Sequence, residues 1–131
     1  MHLVIDGYGD NAKLMDDEQS IYQLLDSYPA RIGMTKISSP LVFRYTGSKP
    51  DDWGISGFVF IAESHISIHT FVERRYINID VFSCKDFDAE QVIRDFKDKF
   101  QLTRLSTRLI NRDWKVDDLA EGTDTAQLYP V

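Results

Sequence analysis

Three runs, ISGFVFIA (55–62), HISIHTF (65–71) and YINIDVFS (76–83), follow one another with only Glu63-Ser64 and Val72-Glu73-Arg74-Arg75 between them. All three are rich in β-branched and aromatic residues, which suit a pleated, half-buried surface. Connections this short join antiparallel neighbours, because a parallel pair needs a crossover of about a dozen residues. In the middle run Ile66 and Ile68 point to one face and His65, Ser67 and His69 to the other. One face of this sheet is therefore apolar, toward helices, and the other is polar and free for other work.

Upstream, His2 to Ile5 is β-like and runs into Asp6-Gly7-Tyr8-Gly9-Asp10-Asn11, turn-formers that are expected to stop the strand. From Asp16 to Tyr28 the residues Ile21, Leu24, Leu25 and Tyr28 fall at helical spacing, with Pro29 as the expected stop. Met34 to Tyr45 is β-prone, interrupted by Ser38-Ser39-Pro40, and the stretch Thr46 to Asp52 has no apolar residue and reads as a loop. Downstream, Asp88-x-x-Gln91 resembles a capping box, and Ala89, Val92, Ile93, Phe96 and Phe100 continue it as a second helix. Leu102 to Ile110 is again β-like, and Asn111 to Val131 reads as a flexible tail. The expected fold is α+β: a two-layer α/β sandwich, a mainly antiparallel sheet with two helices on one face, forming a single domain over residues 1–131.

Composition narrows the function. With 131 residues and 43% hydrophobic content the chain can bury one core without disulfides or a structural metal, and its single cysteine excludes an internal disulfide. A net charge of −6 argues against a nucleic-acid or anionic-membrane surface and suits a small cationic ligand. No run of 18 apolar residues occurs, and MHLVIDGYGD lacks the features of a signal peptide, so the expected location is the cytoplasm.

His65 and His69 invite a metal reading. On a strand, however, four residues separate the two side chains by about 13 Å, too far for one ion to bridge. No metal is expected, and from the residues alone the two histidines read as hydrogen-bonding members of a polar sheet face.

Three blocks, Gly54-Ile55-Ser56-Gly57, Ala62 to Thr70, and Ile79-Asp80-Val81-Phe82-Ser83-Cys84, resemble the prokaryotic S-adenosylmethionine decarboxylase proenzymes in sequence and mutual spacing. With the element order, the resemblance extends over about residues 1 to 110. It implies a proenzyme that cuts itself at Glu63–Ser64 into chains of 63 and 68 residues, 1–63 and 64–131. It further implies that Ser64 attacks the preceding carbonyl in an N-to-O acyl shift and ends as a pyruvoyl cofactor. The family's processing base falls on His69, and its processing hydrogen-bond donor on Ser56. The pyruvoyl carbonyl would take the substrate amine as a Schiff base and act as electron sink while carbon dioxide leaves. The family's proton donor aligns with Cys84; taken alone, one cysteine at a strand end reads as packing. Strand parity puts Ser64 opposite His69 in an unbroken strand, so a tight turn or bulge is expected at Glu63-Ser64.

For the substrate, the resemblance places Phe71 against an adenine ring, Glu73 as an acidic contact and Tyr45 as a second aromatic face. It implies a homodimer of processed protomers and a role in spermidine biosynthesis. Val72 stands where the family usually has proline, Arg74-Arg75 adds positive charge, and the Thr46 to Trp53 segment is longer than usual. Members of the wider superfamily keep the same machinery but decarboxylate arginine or ornithine, the alternative for this chain. A third reading is a non-processing partner subunit in which Ser64 is simply a turn residue.

Overall fold

The structure, a computed structural model, describes residues 1–112. All but the first two residues of the expected tail at 111–131 therefore lie outside the described residues. Seven strands, β1 (His2–Gly9), β2 (Thr35–Lys36), β3 (Leu41–Thr46), β4 (Trp53–Ala62), β5 (Ser64–Phe71), β6 (Tyr76–Ser83) and β7 (Leu102–Ile110), build one sheet. The order is β2-β4-β5-β6-β1-β7, with β3 also paired to β4, and every pairing is antiparallel. The helices are α1 (Ala12–Met15), α2 (Glu18–Arg31) and α3 (Ala89–Phe100), with α2 over β3 and β4 and α3 over β1 and β7. The molecule is thus the two-layer α+β sandwich that the alternation implies, with α1 added as a single turn beyond the two expected helices.

Period-two patterning selects the layer. Leu3, Ile5, Ile55, Val59, Ile66, Ile68, Ile77, Ile79 and Val81 are buried beneath Ile21, Leu25, Phe96 and Phe100 of the helices. Burying each such side chain contributes about 2 kcal/mol, enough in sum to fix which face turns inward. Among the described residues no helix packs on the opposite face.

Two expectations are corrected. β1 does not end at Ile5 but continues to Gly9, because its turn-formers are used by the sheet. Asp6 accepts a 2.6 Å hydrogen bond from Asn78 of β6, and a Cβ on Gly7 would lie 2.7 Å from Leu102 Cδ1, so the glycine makes room for that core side chain. Likewise Pro29 does not stop α2, which starts at Glu18 behind the Asp17 cap and runs to Arg31. Proline costs one intrahelical bond, but the last turn is tied to α3: Tyr28 donates to Asp95 at 2.8 Å and Arg31 at 3.0 Å. The predicted cap of α3 holds, with the Asp88 carboxylate accepting from the Gln91 N–H at 3.0 Å. The Gln91 side chain turns forward to Asp95 rather than back to the cap, so the reciprocal half of the capping box is not made.

Candidate active site

β4 and β5 meet in a two-residue turn, Ala62-Glu63, closed by the pair Ile61 and Ser64. Ser64 has φ 121°, a left-handed conformation that costs a residue with a side chain about 1–3 kcal/mol. This is the break that strand parity demands. The turn brings Ser64 Oγ to 3.7 Å from Cys84 Sγ, just past the end of β6, and the Cys84 N–H donates to the Glu63 carbonyl at 3.3 Å. One end of the helix-free face thus presents a hydroxyl, the carbonyl that precedes it, a backbone donor on that carbonyl and an exposed thiol.

Around this corner the face is aromatic. His65 stacks on Phe58 at 5.0 Å and meets Phe82 edge-on at 5.6 Å, while His2 packs on Phe82 at 5.3 Å and bonds Asp80 at 2.8 Å. Burial lowers the His65 pKa below the usual imidazole value, the charges of His2 and Arg112 push the same way, and Asp80 opposes them. His65 therefore stands neutral at neutral pH, as an aromatic wall.

A second cluster lies farther along the same strands. Ser56 on β4 faces His69 on β5, and Ser56 Oγ is 2.9 Å from His69 Nδ1. With Tyr45, Trp53, Gly54, Thr70 and Phe71 they line a concavity of about 240 Å³. Its floor is tight: a Cβ on Gly54 would lie 1.7 Å from the Thr70 carbonyl oxygen, so only glycine fits. Thr70 Oγ1 accepts from the Ile55 N–H at 2.9 Å and donates to the Met15 carbonyl at 2.8 Å, pinning β4, β5 and α1 together beneath the site.

The expected site residues are therefore split between two places. Ser64, Glu63 and Cys84 gather at the turn, and Ser56, His69, Phe71 and Tyr45 at the concavity, while exposed Glu73 stands in the turn after β5. Five residues of continuous strand separate Ser64 from His69, about 16 Å, so within one chain the imidazole does not reach Ser64. Trp53 belongs to the concavity but was hidden from sequence reasoning at the end of the apparent loop; its place one residue before the Gly54 block is the signal that could have found it.

Among the described residues no group of three or more His, Cys, Asp or Glu side chains is arranged to hold a metal ion, and no helix is long and apolar enough to cross a membrane. Comparison with known proteins gives a consistent result. A family model described as S-adenosylmethionine decarboxylase matches residues 1–113. The S-adenosylmethionine decarboxylase proenzyme of Thermoplasma acidophilum is 31% identical over 123 residues, covering 93% of this chain and 89% of the relative. That of Clostridium botulinum (strain Langeland) is 34% identical over 117 residues, with 88% and 95% covered. In a solved structure, the adenosylmethionine decarboxylase of Aquifex aeolicus superposes with a TM-score of 0.67 at 26% identity, over 87% of this chain and 94% of that one.

Proposed function

This chain belongs to the S-adenosylmethionine decarboxylase family, and from that membership we propose that it cuts itself between Glu63 and Ser64 and then decarboxylates S-adenosylmethionine. The observation that carries the reading is the turn itself. Ser64 is held in a strained conformation next to a carbonyl that the Cys84 N–H already polarises.

Self-cleavage follows from these atoms. Ser64 Oγ attacks the Glu63 carbonyl carbon, and the negative charge that develops on the carbonyl oxygen is met by the Cys84 N–H. The C–N bond breaks, leaving Glu63 as an ester on Ser64 and a free amine on Ser64 N. A base then removes the Ser64 Cα proton and the Glu63 carboxylate leaves, giving dehydroalanine, which hydrolyses with loss of ammonia to a pyruvoyl group at the head of the 64–131 chain. That group, when formed, supplies an electron sink for decarboxylation. The residues around it fit: the position is at a chain turn, open to solvent, with the Cys84 thiol 3.7 Å from Ser64 Oγ to hold a proton for the product. Phe71, Tyr45 and Glu73 are the contacts for the nucleoside, and a reducing cytoplasm keeps Cys84 a thiol.

The base is His69, with Ser56 bonded to its Nδ1, but supplied by a second copy. The helix-free face supports such pairing, since Leu41, Phe43, Tyr45 and Phe60 are 53%, 62%, 54% and 48% exposed, a contiguous apolar area that a lone protomer would leave in water. Two such faces packed together put the turn of one chain over the concavity of the other and complete two sites. The product serves spermidine biosynthesis. Denatured mass spectrometry of the purified protein beside Ser64→Ala tests the reading. Two fragments, 1–63 and a blocked 64–131, in the wild type alone support it, and one intact chain stable for days overturns it.

A further inference from the structure

Two of the aromatic residues that line the concavity, Phe71 and Trp53, already carry a guanidinium from their own chain. Arg74 sits 5.8 Å from the centre of the Phe71 ring, tethered by a 3.4 Å contact to Asp51 in the loop before β4. Arg44 sits 5.8 Å from the centre of the Trp53 ring, held at 2.7 Å by Asp16 and at 3.0 Å by Glu18. Neither arginine is needed by the core: both are exposed, and their carboxylate partners fix where the charge stands.

We propose that Arg74 is a specificity-determining residue, which makes this pocket accept a neutral planar ring and refuse a cationic side chain. An aromatic face attracts a cation through its quadrupole, and that attraction is already spent on the chain's own guanidinium. A second cation brought to the same ring gains little from it and is repelled by the first at a separation where charges near a protein surface still interact. A neutral heteroaromatic ring meets no such repulsion and gains from lying against an arginine-bearing ring or against the guanidinium plane itself. The adenine end of a sulfonium nucleoside meets these conditions, whereas the side chain of free arginine or ornithine does not. Arg74, which looks out of place beside a site for a cationic substrate, thus selects which end of that substrate enters.

This inference rests on the decarboxylase reading, and the experiment separates the two. Self-cleaved wild type, Arg74→Gln, Arg74→Lys and Asp51→Asn are compared in S-adenosylmethionine turnover with free arginine or ornithine as competitor, and the extent of self-cleavage is recorded for each. In Arg74→Gln, KM for S-adenosylmethionine is expected to rise about fivefold with kcat within about twofold, and inhibition by arginine to tighten about tenfold. Arg74→Lys keeps the charge, so it continues to exclude arginine while its KM rises for want of a planar partner. Asp51→Asn, which loosens Arg74 without touching the ring, moves in the same direction as Arg74→Gln by a smaller factor. Variants that cleave normally but match the wild type in both KM and arginine inhibition overturn this proposal and leave the function intact. A wild-type chain that never cleaves, or that cleaves and turns over arginine, overturns the function and this proposal together.

Discussion

In the proposed self-cleavage, two residues on either side of one peptide bond hold the chemistry, and their neighbours divide its steps. Ser64→Ala removes the nucleophile and is expected to abolish cleavage outright. Cys84→Ala keeps the backbone N–H on the Glu63 carbonyl, so it should still cleave, at a rate within about tenfold of wild type, while decarboxylation by the cleaved product falls at least a hundredfold. Gel densitometry for the first step and carbon dioxide release for the second check this separation; equal loss of both would show the thiol to be needed before the pyruvoyl group exists. His69→Ala should stall after the acyl shift, detectable as an ester that hydroxylamine cuts. At this scale the sequence was informative through resemblance alone: nothing in the pattern of His65 and His69 separates a base from an aromatic wall. The structure shows that their surroundings differ: His69 is hydrogen-bonded to Ser56, and His65 lies between Phe58 and Phe82.

At the scale of elements, strands were legible where side chains alternate and obscure where backbone chemistry matters. β4, β5 and β6 place Ile55, Val59 and Ile61, Ile66 and Ile68, and Ile77, Ile79 and Val81 at alternating positions, so one face had to be buried. Asp6, Gly7 and Gly9 are turn-formers by composition and hide the second half of β1, yet a glycine also suits a strand that a core leucine crosses closely. The end of α2 is obscure for the complementary reason: the penalty of Pro29 is local, whereas what holds the last turn is a carboxylate on another helix. Asp95 gives that junction a testable pH dependence. Burial raises its pKa, but hydrogen bonds from Arg31, Tyr28 and Gln91 outweigh burial and hold the carboxyl below its ordinary range. The folded carboxyl thus binds its proton less tightly than the unfolded one. Its contribution is complete above the unfolded pKa of about 3.9 and is lost as pH falls through the lower folded value. Asp95→Asn should cost about 1 kcal/mol in urea unfolding at pH 7, modest because Arg31 is largely exposed, and the gap should close toward pH 2. In the sheet, Gly54→Ala should cost about 3 kcal/mol and distort the concavity, because its Cβ has only backbone to displace.

The whole molecule explains why the site looked complete in sequence and divided in structure. Parity can say that His69 and Cys84 share a face, but distance along a strand grows by about 3.3 Å per residue, and the family's site residues fall at both ends of that span. A single sheet with helices on one side cannot fold its two ends together, whereas two sheets packed face to face can. The prediction is complementation. Ser64→Ala lacks the nucleophile but keeps His69, and His69→Ala lacks the base but keeps Ser64, so neither homodimer releases a pyruvoyl chain. A mixed dimer regains one complete site, in which the His69→Ala chain is the one cut. Co-expressing the two variants with distinguishable tags should therefore yield 64–131 fragments from the His69→Ala chain only, up to half of the mixed dimers' chains. Fragments from neither chain, in a preparation that sedimentation shows to be dimeric, would mean that each protomer carries its own site and that strand β5 must move by more than its length between Ser64 and His69 to assemble it.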